Sequence, residues 1–312
     1  MPFNNYNRAY FGGTEYMVSQ VRSRFIQDLP KFNDYYSFSI PGIVNKKKLK
    51  EAEKDTVIVW LHNLIQELTP DIATYLITPK YVKNIKYFIV VSEYHKKEVL
   101  KISSISEEKV LVIPNAIDPV PFDGDKFFNV DKVKIIHTSS PERGMDYLLM
   151  AVKEIDFDFQ LDVFNSIDPN MLDIHEDYRH FFEDPRVSFY GKTPKQTVLK
   201  HLAKAHIHAY PSIHTETSCL SQIEALSAGC LTVHSNSGAL PESSLGFGVE
   251  FNIDPYRQDV AKGAREYAKL LRKAIVDIKN GSFAPRNQPS VIEEKFSWSA
   301  AGKKWQELHD RL

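Results

Sequence analysis

The segment His214–Gly229 places two acidic side chains beside the start of a predicted helix. Cys219–Leu226 carries apolar residues at helical spacing, and Gly229 follows where a left-handed glycine commonly ends a helix. Glu216 comes just before this helix, and Glu224 lies two turns inside it. Because the free N–H groups and the dipole of a helix N-terminus favour an anion, we expect the segment to bind a diphosphate.

The two glutamates would then lie beside a phosphate and a sugar hydroxyl respectively. A carboxylate next to a phosphate is unfavourable unless it meets a cation or a hydroxyl, and a sugar supplies the hydroxyl. In the plainer interpretation, Glu216 only assists the helix cap that Thr217 and Ser218 also offer, and Glu224 is a solvated helix residue. The residues alone leave both interpretations open.

Two further pieces could contact phosphate. Arg143-Gly144 precedes a predicted helix that starts at Met145, and an arginine can donate two hydrogen bonds to one phosphate. Gly12-Gly13 opens a predicted helix over Thr14–Leu29, and paired glycines let a backbone approach a ligand closely. A surface arginine and a plain turn are the respective alternatives.

Metal binding and thiol chemistry are weaker interpretations of the same region. His206, His208 and His214, together with Glu216, are metal ligands by type, but His206 and His208 alternate within an apolar run, which favours a role in the core. Cys219 could be a nucleophile at a helix N-terminus, but no His–Asp partner is evident in the sequence. We therefore expect no metal site and no catalytic cysteine.

Composition indicates an ordinary globular protein. The chain has 312 residues, 43% apolar and 25% charged, and a net charge of −1, so two domains are expected and a nucleic-acid partner is not. Two cysteines, no signal-like N-terminus and no long apolar run favour a cytoplasmic protein without a membrane span. The basic run 45–50 is followed by acidic residues and favours a solvated segment, with peripheral contact to anionic lipid as the alternative.

Short, nearly continuous apolar runs alternate with helical patterns along the chain. Strands buried on both faces of a parallel sheet have this character, so the pattern predicts a doubly wound α/β fold. The predicted strands are Thr56–Leu61, Tyr87–Val91, Val110–Ile113, Val133–His137, Gln160–Phe164, Val187–Tyr190, His206–Tyr210 and Leu231–His234. Small polar residues follow most of them, where open α/β sheets bind ligands.

Breaks in the pattern divide the chain into two Rossmann-like domains that we expect to face a cleft. Residues 119–131 and 280–289 are rich in Pro, Gly and Asp or Asn and lack periodicity. We predict a short N-terminal acceptor-side domain over 1–125 and a nucleotide-sugar-binding domain over 126–285. The remaining segment, 286–312, is predicted to be a helix that packs back towards the N-terminal domain.

Taken together, the motifs resemble those of the retaining family 4 glycosyltransferases of the GT-B fold. Glu216 and Glu224 match the E-x7-E signature of that family. Further pieces agree in order and spacing between Gly12 and Leu312. They are Val112–Asp118 ("IPNGVD"), Arg143-Gly144 with Leu148-Leu149 and Ala151 ("KG…LL.A"), Phe189–Gly191 ("F.G"), Tyr210–Ser212 ("PS"), Gly238–Glu242 ("GG..E"), and Phe296–Trp298 with Trp305 ("FSW…W").

The resemblance implies a role for each matching position. Glu216 would contact the donor sugar, Glu224 the ribose hydroxyls, Arg143 the departing phosphate, and His62 the donor sugar from the first domain. The resemblance and the predicted strand ends together give a donor-binding set. Its members are Gly12, Gly13, Ser139, Lys192, Thr217, Ser218, Cys219 and Glu224.

The resemblance also implies the reaction. It would be hexosyl transfer from a UDP- or GDP-linked sugar to a glycan, lipid or small molecule, with retention of configuration and without a metal or other cofactor. Thr138 stands where the family usually has an arginine, and Ala116 replaces the glycine of "IPNG". The missing cation and the short first domain leave two alternatives: a catalytically silent sugar-nucleotide-binding protein, and an epimerase or phosphorylase on the same fold.

Overall fold

The computed structural model describes residues 13–25, 36–38, 57–68, 70–83, 85–165 and 183–312. Gly12 and the basic run 45–50 lie outside the described residues. The described chain separates into a central unit, Asp118–Glu294, and a terminal unit formed by the residues up to Ile117 together with Lys295–Leu312. The sequence pattern predicted the corresponding divisions at 125/126 and 285/286.

The strands and helices are numbered in chain order over the described residues. The strands are β1 Tyr36–Phe38, β2 Val57–Leu61, β3 Ile85–Val90, β4 Val110–Val112, β5 Val133–Thr138, β6 Phe159–Phe164, β7 Val187–Gly191, β8 Ile207–Tyr210, β9 Leu231–Ser235 and β10 Gly248–Phe251. The helices are α1 Gly13–Arg24, α2 Pro70–Ile77, α3 Pro79–Val82, α4 Glu93–Ile102, α5 Met145–Lys153, α6 Lys195–Lys204, α7 Leu220–Ser227, α8 Leu240–Ser244, α9 Val260–Lys279, α10 Gln288–Phe296 and α11 Trp298–Arg311.

The terminal unit contains a parallel sheet in the order β1-β2-β3-β4. Its core includes Val59, Leu61, Phe88 and Val90 from the two middle strands. The C-terminal helix belongs to this unit: Trp305 packs edge-on against Trp60, with ring centroids 5.1 Å apart.

The central unit contains a second parallel sheet, in the order β10-β9-β8-β5-β6-β7. Every residue of β8 and β9 is buried, as the continuous apolar runs predict for strands covered on both faces. Helices α5 and α9 contribute Leu148, Tyr267 and Leu271 to the core on one side of the sheet.

The strand order of the central unit creates a topological switch point. The chain proceeds from β5 outwards through β6 and β7, and then crosses to the other side of β5 for β8, β9 and β10. Loops that leave the carboxyl ends of β5 and β8 therefore diverge in opposite directions and open a crevice, which is where open α/β sheets bind ligands.

The predicted α/β class with two Rossmann-like sheets is confirmed. All eight predicted runs are strands, with bounds within two residues of those expected. The short strands β1 and β10 were missed. In β10 (GVEF), a glycine and the exposed Glu250 interrupt the apolar run, because β10 lies at the edge of its sheet. Among the described helices, none combines the length and apolarity needed to cross a membrane.

Candidate functional site

Glu216 is held rigidly at the carboxyl end of β8. Its side chain is buried, and its backbone forms a parallel bridge with Gly238. The amide of Ala239 donates to the Glu216 carbonyl at 2.7 Å. Gly238 has a left-handed φ of 66°, and a Cβ there would lie 2.2 Å from the Glu216 carbonyl oxygen, so this close approach requires glycine.

The Glu216 carboxylate lies among three polar side chains. It forms an ion pair with Arg143, and the Tyr210 hydroxyl donates to the same oxygen, Oε1, at 2.7 Å. His214 Nδ1 lies 4.0 Å from that oxygen. Burial is the largest single influence and lowers the pKa of the Arg143 guanidinium, but the charge and hydrogen bond of Glu216, together with Tyr210 and Cys219, outweigh it, so the pKa is raised and the arginine stays charged.

Arg143 reaches Glu216 because two loops pack backbone against backbone. The short 3-10 turn Pro141–Arg143 ends at Gly144, whose φ of 90° is left-handed. A Cβ on Gly144 would lie 2.0 Å from the carbonyl oxygen of Pro211, in the loop that leads to Glu216. The loops after β5 and β8 therefore contact each other at the switch point, and this contact brings Arg143 next to Glu216.

Tyr210 extends the polar group towards β5. Its ring is buried and stacks with the imidazoles of His137 and His208, with centroids 6.0 and 5.5 Å away. Its hydroxyl oxygen lies 3.2 Å from Ser139 Oγ, which places this predicted donor-binding serine next to the site. Burial, followed by the nearby Cys219 and Glu216, raises the pKa of Tyr210 well above 10, so the phenol remains a donor.

Helix α7 begins at Leu220, later than predicted. Cys219 takes the N-cap position, with no side-chain hydrogen bond to the helix backbone, so the expected caps Thr217 and Ser218 are wrong. Cys219 itself has extended backbone angles, φ −106° and ψ 98°, so the first helical turn starts at Leu220. Thr217 and Ser218 remain predicted donor contacts.

The Cys219 thiol is not set up as a nucleophile. Burial, and then the negative charge of Glu216, raise its pKa to about 12. A thiol with this pKa stays protonated at neutral pH, and thiolates are the reactive form.

Glu224 is not a solvated helix residue. Its side chain is 8% exposed, and Lys195 Nζ lies 2.5 Å from both carboxylate oxygens. Lys195 was missed by the sequence reasoning. It is the first residue of α6, just beyond the carboxyl end of β7, and that position could have indicated it. The predicted cation Lys192 is exposed and lies on the same loop.

Two predicted residues belong to the terminal unit. His62 is buried immediately after β2, with its ring 4.2 Å from that of Trp60. Burial, and then the neighbouring His95, lower its pKa to about 3, so His62 is neutral. Gly13 is the first residue of α1.

The histidines of β8 and its approach have structural roles. His206 Nδ1 accepts from the amide of Lys134 at 2.8 Å, while Nε2 donates to the carbonyl of Lys126 at 2.8 Å. His208 is buried, and its Nε2 lies 3.3 Å from Thr138 Oγ1. In the part of the chain that the structure describes, no group of three His, Cys, Asp or Glu side chains is arranged to hold a metal ion.

The arrangement suits a polar, anionic ligand with hydroxyl groups. A guanidinium and the N-terminus of α7 offer positive potential, while two buried carboxylates offer acceptors on either side of that helix start. All of these groups come from one sheet edge of the central unit.

Comparison with known families finds a match for part of the chain. Residues 133–271 match the family model described as glycosyl transferases group 1, and this segment contains Arg143, Glu216 and Glu224. The match covers most of the central unit and is a similarity of this part of the chain, while the two parallel Rossmann-like sheets are those of the GT-B fold.

Individual proteins resemble the chain more loosely. A human protein named as a subunit of phosphatidylinositol N-acetylglucosaminyltransferase is 26% identical over 234 residues, covering 72% of this chain and 46% of the human protein. Its counterparts in Arabidopsis thaliana and Saccharomyces cerevisiae also match, at 24% and 21% identity. The chain spans about half the length of the curated relatives it matches.

The solved structures support the fold alone. Sucrose-phosphate synthase from Thermosynechococcus elongatus superposes with a TM-score of 0.69 at 15% identity, covering 93% of this chain and 79% of the synthase. Anabaena Alr3699/HepE in complex with UDP also gives 0.69, at 14% identity, covering 92% of this chain and 82% of HepE.

Proposed function

We propose that the chain transfers a sugar from a nucleotide diphosphate donor to an acceptor. The observation that carries this proposal is the ion pair between the half-buried Arg143 and the buried Glu216 at the switch point, beside the N-terminus of α7. Sugar nucleotides combine the three features this site complements: a diphosphate, hydroxyls on the transferred sugar and hydroxyls on the ribose.

In the proposed reaction, the bond from the sugar anomeric carbon to the diphosphate oxygen breaks and negative charge develops on that phosphate. A bond forms between the anomeric carbon and the acceptor hydroxyl oxygen, and the hydroxyl proton passes to the departing phosphate. Arg143 and the amides at the start of α7 stabilise this charge, which is the main task in such a transfer. Glu216 binds a hydroxyl of the transferred sugar and so holds the anomeric carbon towards the acceptor.

Glu224 binds the ribose hydroxyls, which its two carboxylate oxygens can accept together. In the structure, Lys195 donates to both of these oxygens. Donor binding therefore requires Lys195 to move or to share the carboxylate. Because the Lys195 side chain is 52% exposed, the ammonium can return to water at small cost.

The relatives suggest the substrates. The match to proteins named for phosphatidylinositol N-acetylglucosaminyltransferase supports N-acetylglucosamine as the sugar and a phosphatidylinositol-like lipid as the acceptor. The fold shared with a protein solved in complex with UDP supports a uridine donor. Those relatives are named as subunits, which supports a partner protein for the present chain as well. Retention of configuration and independence of metal, which the family resemblance implies, and a cytoplasmic location, which the composition favours, are further parts of the proposal.

The test is a transfer assay with purified protein and a panel of UDP- and GDP-linked sugars, with a phosphatidylinositol acceptor in detergent. We expect Glu216→Ala and Arg143→Ala each to lower turnover about 100- to 1,000-fold, the effect of removing one electrostatic stabiliser of the transition state. The matched control is Lys269→Ala, which removes a cation from an exposed ion pair with Glu266 on α9.

Four outcomes test separate parts of the proposal. Wild-type rates in both site variants would show that the site is misplaced. Donor binding without transfer or hydrolysis would indicate the silent binding protein, which the replacement of an arginine by Thr138 favours. Loss of activity with a strong chelator would contradict metal independence, and an inverted anomeric centre in the product, measured by NMR, would contradict retention.

A further inference from the structure

We infer that Tyr210 is a positioning residue that keeps the Glu216 carboxylate oriented and compensated when the donor diphosphate draws Arg143 away. This inference rests on the proposed function, since it concerns the same donor site. Tyr210 is not among the catalytic and donor-binding residues predicted from the sequence, and the inference gives it a role when the donor is bound.

The geometry places Tyr210 and Arg143 on one atom. Both the phenol and the guanidinium contact Oε1 of Glu216, and the phenol does so at 2.7 Å. Glu216 is 5% exposed, so water can replace neither partner easily. One oxygen of the Glu216 carboxylate is thus contacted by a cation, Arg143, and by a neutral hydrogen-bond donor, Tyr210.

Donor binding changes this balance. A diphosphate carries more charge than a carboxylate and competes for the same guanidinium. If Arg143 turns to the phosphate, a buried carboxylate loses its counter-charge, and an uncompensated buried charge is strongly unfavourable. The Tyr210 hydroxyl, being neutral, is not attracted away and continues to donate to Oε1.

The hydroxyl of Tyr210 is fixed in direction as well as in place. Its oxygen lies 3.2 Å from Ser139 Oγ, and because its own proton is directed to Glu216, Ser139 donates to it. The ring is stacked with His137 and His208, whose pKa values burial lowers to about 4 and about 3. Both imidazoles are therefore neutral and add no cation that could substitute for Arg143.

Tyr210 differs from two other buried tyrosines of the central unit in the group that accepts the hydrogen bond from its hydroxyl. The hydroxyls of Tyr147 and Tyr267 donate to backbone carbonyls, of Tyr256 at 2.8 Å and of Val233 at 2.7 Å. Those contacts satisfy a buried phenol and need no ligand. Tyr210 instead donates to a charged side chain of the candidate site.

The test measures UDP binding by isothermal titration calorimetry in a double-mutant cycle of Tyr210→Phe and Glu216→Gln. Phenylalanine keeps the ring packing, so the variant folds. We expect Tyr210→Phe to weaken UDP binding about tenfold in the Glu216 background, and to change it less than about twofold in the Glu216→Gln background, because a neutral amide needs no compensation. Tyr147→Phe is the matched control and should leave UDP affinity unchanged.

The outcomes distinguish this inference from the proposed function. Equal effects of Tyr210→Phe in both backgrounds, or none in either, would overturn the positioning role, and a loss of thermal stability alone would indicate a structural tyrosine. Absence of binding of both UDP and GDP to the wild type would overturn both proposals. The expected cycle together with absent sugar transfer would uphold the inference and overturn the proposed function.

Discussion

At the scale of single residues, the candidate site depends on how one buried carboxylate is accommodated. Glu216 has an arginine and a tyrosine as partners, and removing one partner of a buried ion pair typically costs several kcal/mol, because the other charge is left alone. Glu216 and Arg143 could be proposed from the sequence, since each follows a strand that ends at the same sheet edge. Their direct contact could not, because it depends on Gly144 packing against Pro211.

Buried histidines make the stability of the central unit dependent on pH. Burial lowers the pKa of His137 to about 4 and is the largest cause lowering that of His208 to about 3. In the unfolded chain both titrate near 6.5, so below that pH the unfolded state binds more protons and stability falls as pH falls. Together they should remove about 2 kcal/mol between pH 6.5 and 5.5, because each unfolded histidine is half protonated at pH 6.5 and approaches the full slope of about 1.4 kcal/mol per pH unit only below it.

Urea unfolding followed at pH 7.5, 6.5 and 5.5 measures this effect. Most carboxylates titrate below this range, so the histidines dominate the change. A midpoint that stays constant over the three values would show that the buried imidazoles do not control acid stability.

At the scale of elements, glycines with left-handed backbones let the site loops approach each other. Gly238 and Gly281 have similar φ values, 66° and 71°, but different surroundings. A Cβ at Gly238 would meet the backbone of Glu216 at 2.2 Å, whereas a Cβ at Gly281 would meet nothing within 4 Å. An alanine at Gly281 would therefore introduce backbone strain alone, whereas an alanine at Gly238 would add a steric clash with the Glu216 backbone.

We expect Gly281→Ala to cost about 1 kcal/mol, the strain of a left-handed alanine. Gly238→Ala should cost about 2–3 kcal/mol more and should also lower UDP affinity, because the Glu216 backbone must shift. Chemical denaturation and calorimetric titration of both variants provide the measurement. Equal losses of stability, with unchanged UDP affinity in both, would mean that the bridge between Glu216 and Gly238 does not position the site.

At the scale of the whole molecule, the terminal unit combines two stretches far apart in the sequence, the described residues up to Ile117 and Lys295–Leu312. The amide of Ile117 donates to the carbonyl of Phe296 at 2.9 Å, and Lys86 Nζ donates to the carbonyls of Arg311 and Leu312 at 3.3 and 3.2 Å. Trp305 packs on Trp60, and both rings are 1% exposed. The C-terminal helix thus contributes to the core of this unit.

Trp305→Ala should destabilise the terminal unit by about 3–5 kcal/mol, the usual cost of truncating a buried tryptophan. Amide hydrogen exchange should accelerate in β2 and β3 more than in β8 and β9, because the two sheets have separate hydrophobic cores. Trp305→Phe, which retains an aromatic ring, serves as the milder comparison. Equal loss of protection in both sheets would contradict this assignment.

The sequence by itself determined the strand–helix alternation, the class of fold, the positions of Arg143 and Glu216 after strand ends and that of Glu224 within a helix, because these follow from local periodicity and residue type. It did not determine the late start of α7, the Lys195–Glu224 pair or the place of Tyr210, since these depend on contacts between segments far apart in the chain. An exposed lysine at the start of α6 looks like any surface residue until the sheet order brings Glu224 beside it. Strand order and backbone approach, which local pattern does not encode, decided the chemistry of the site.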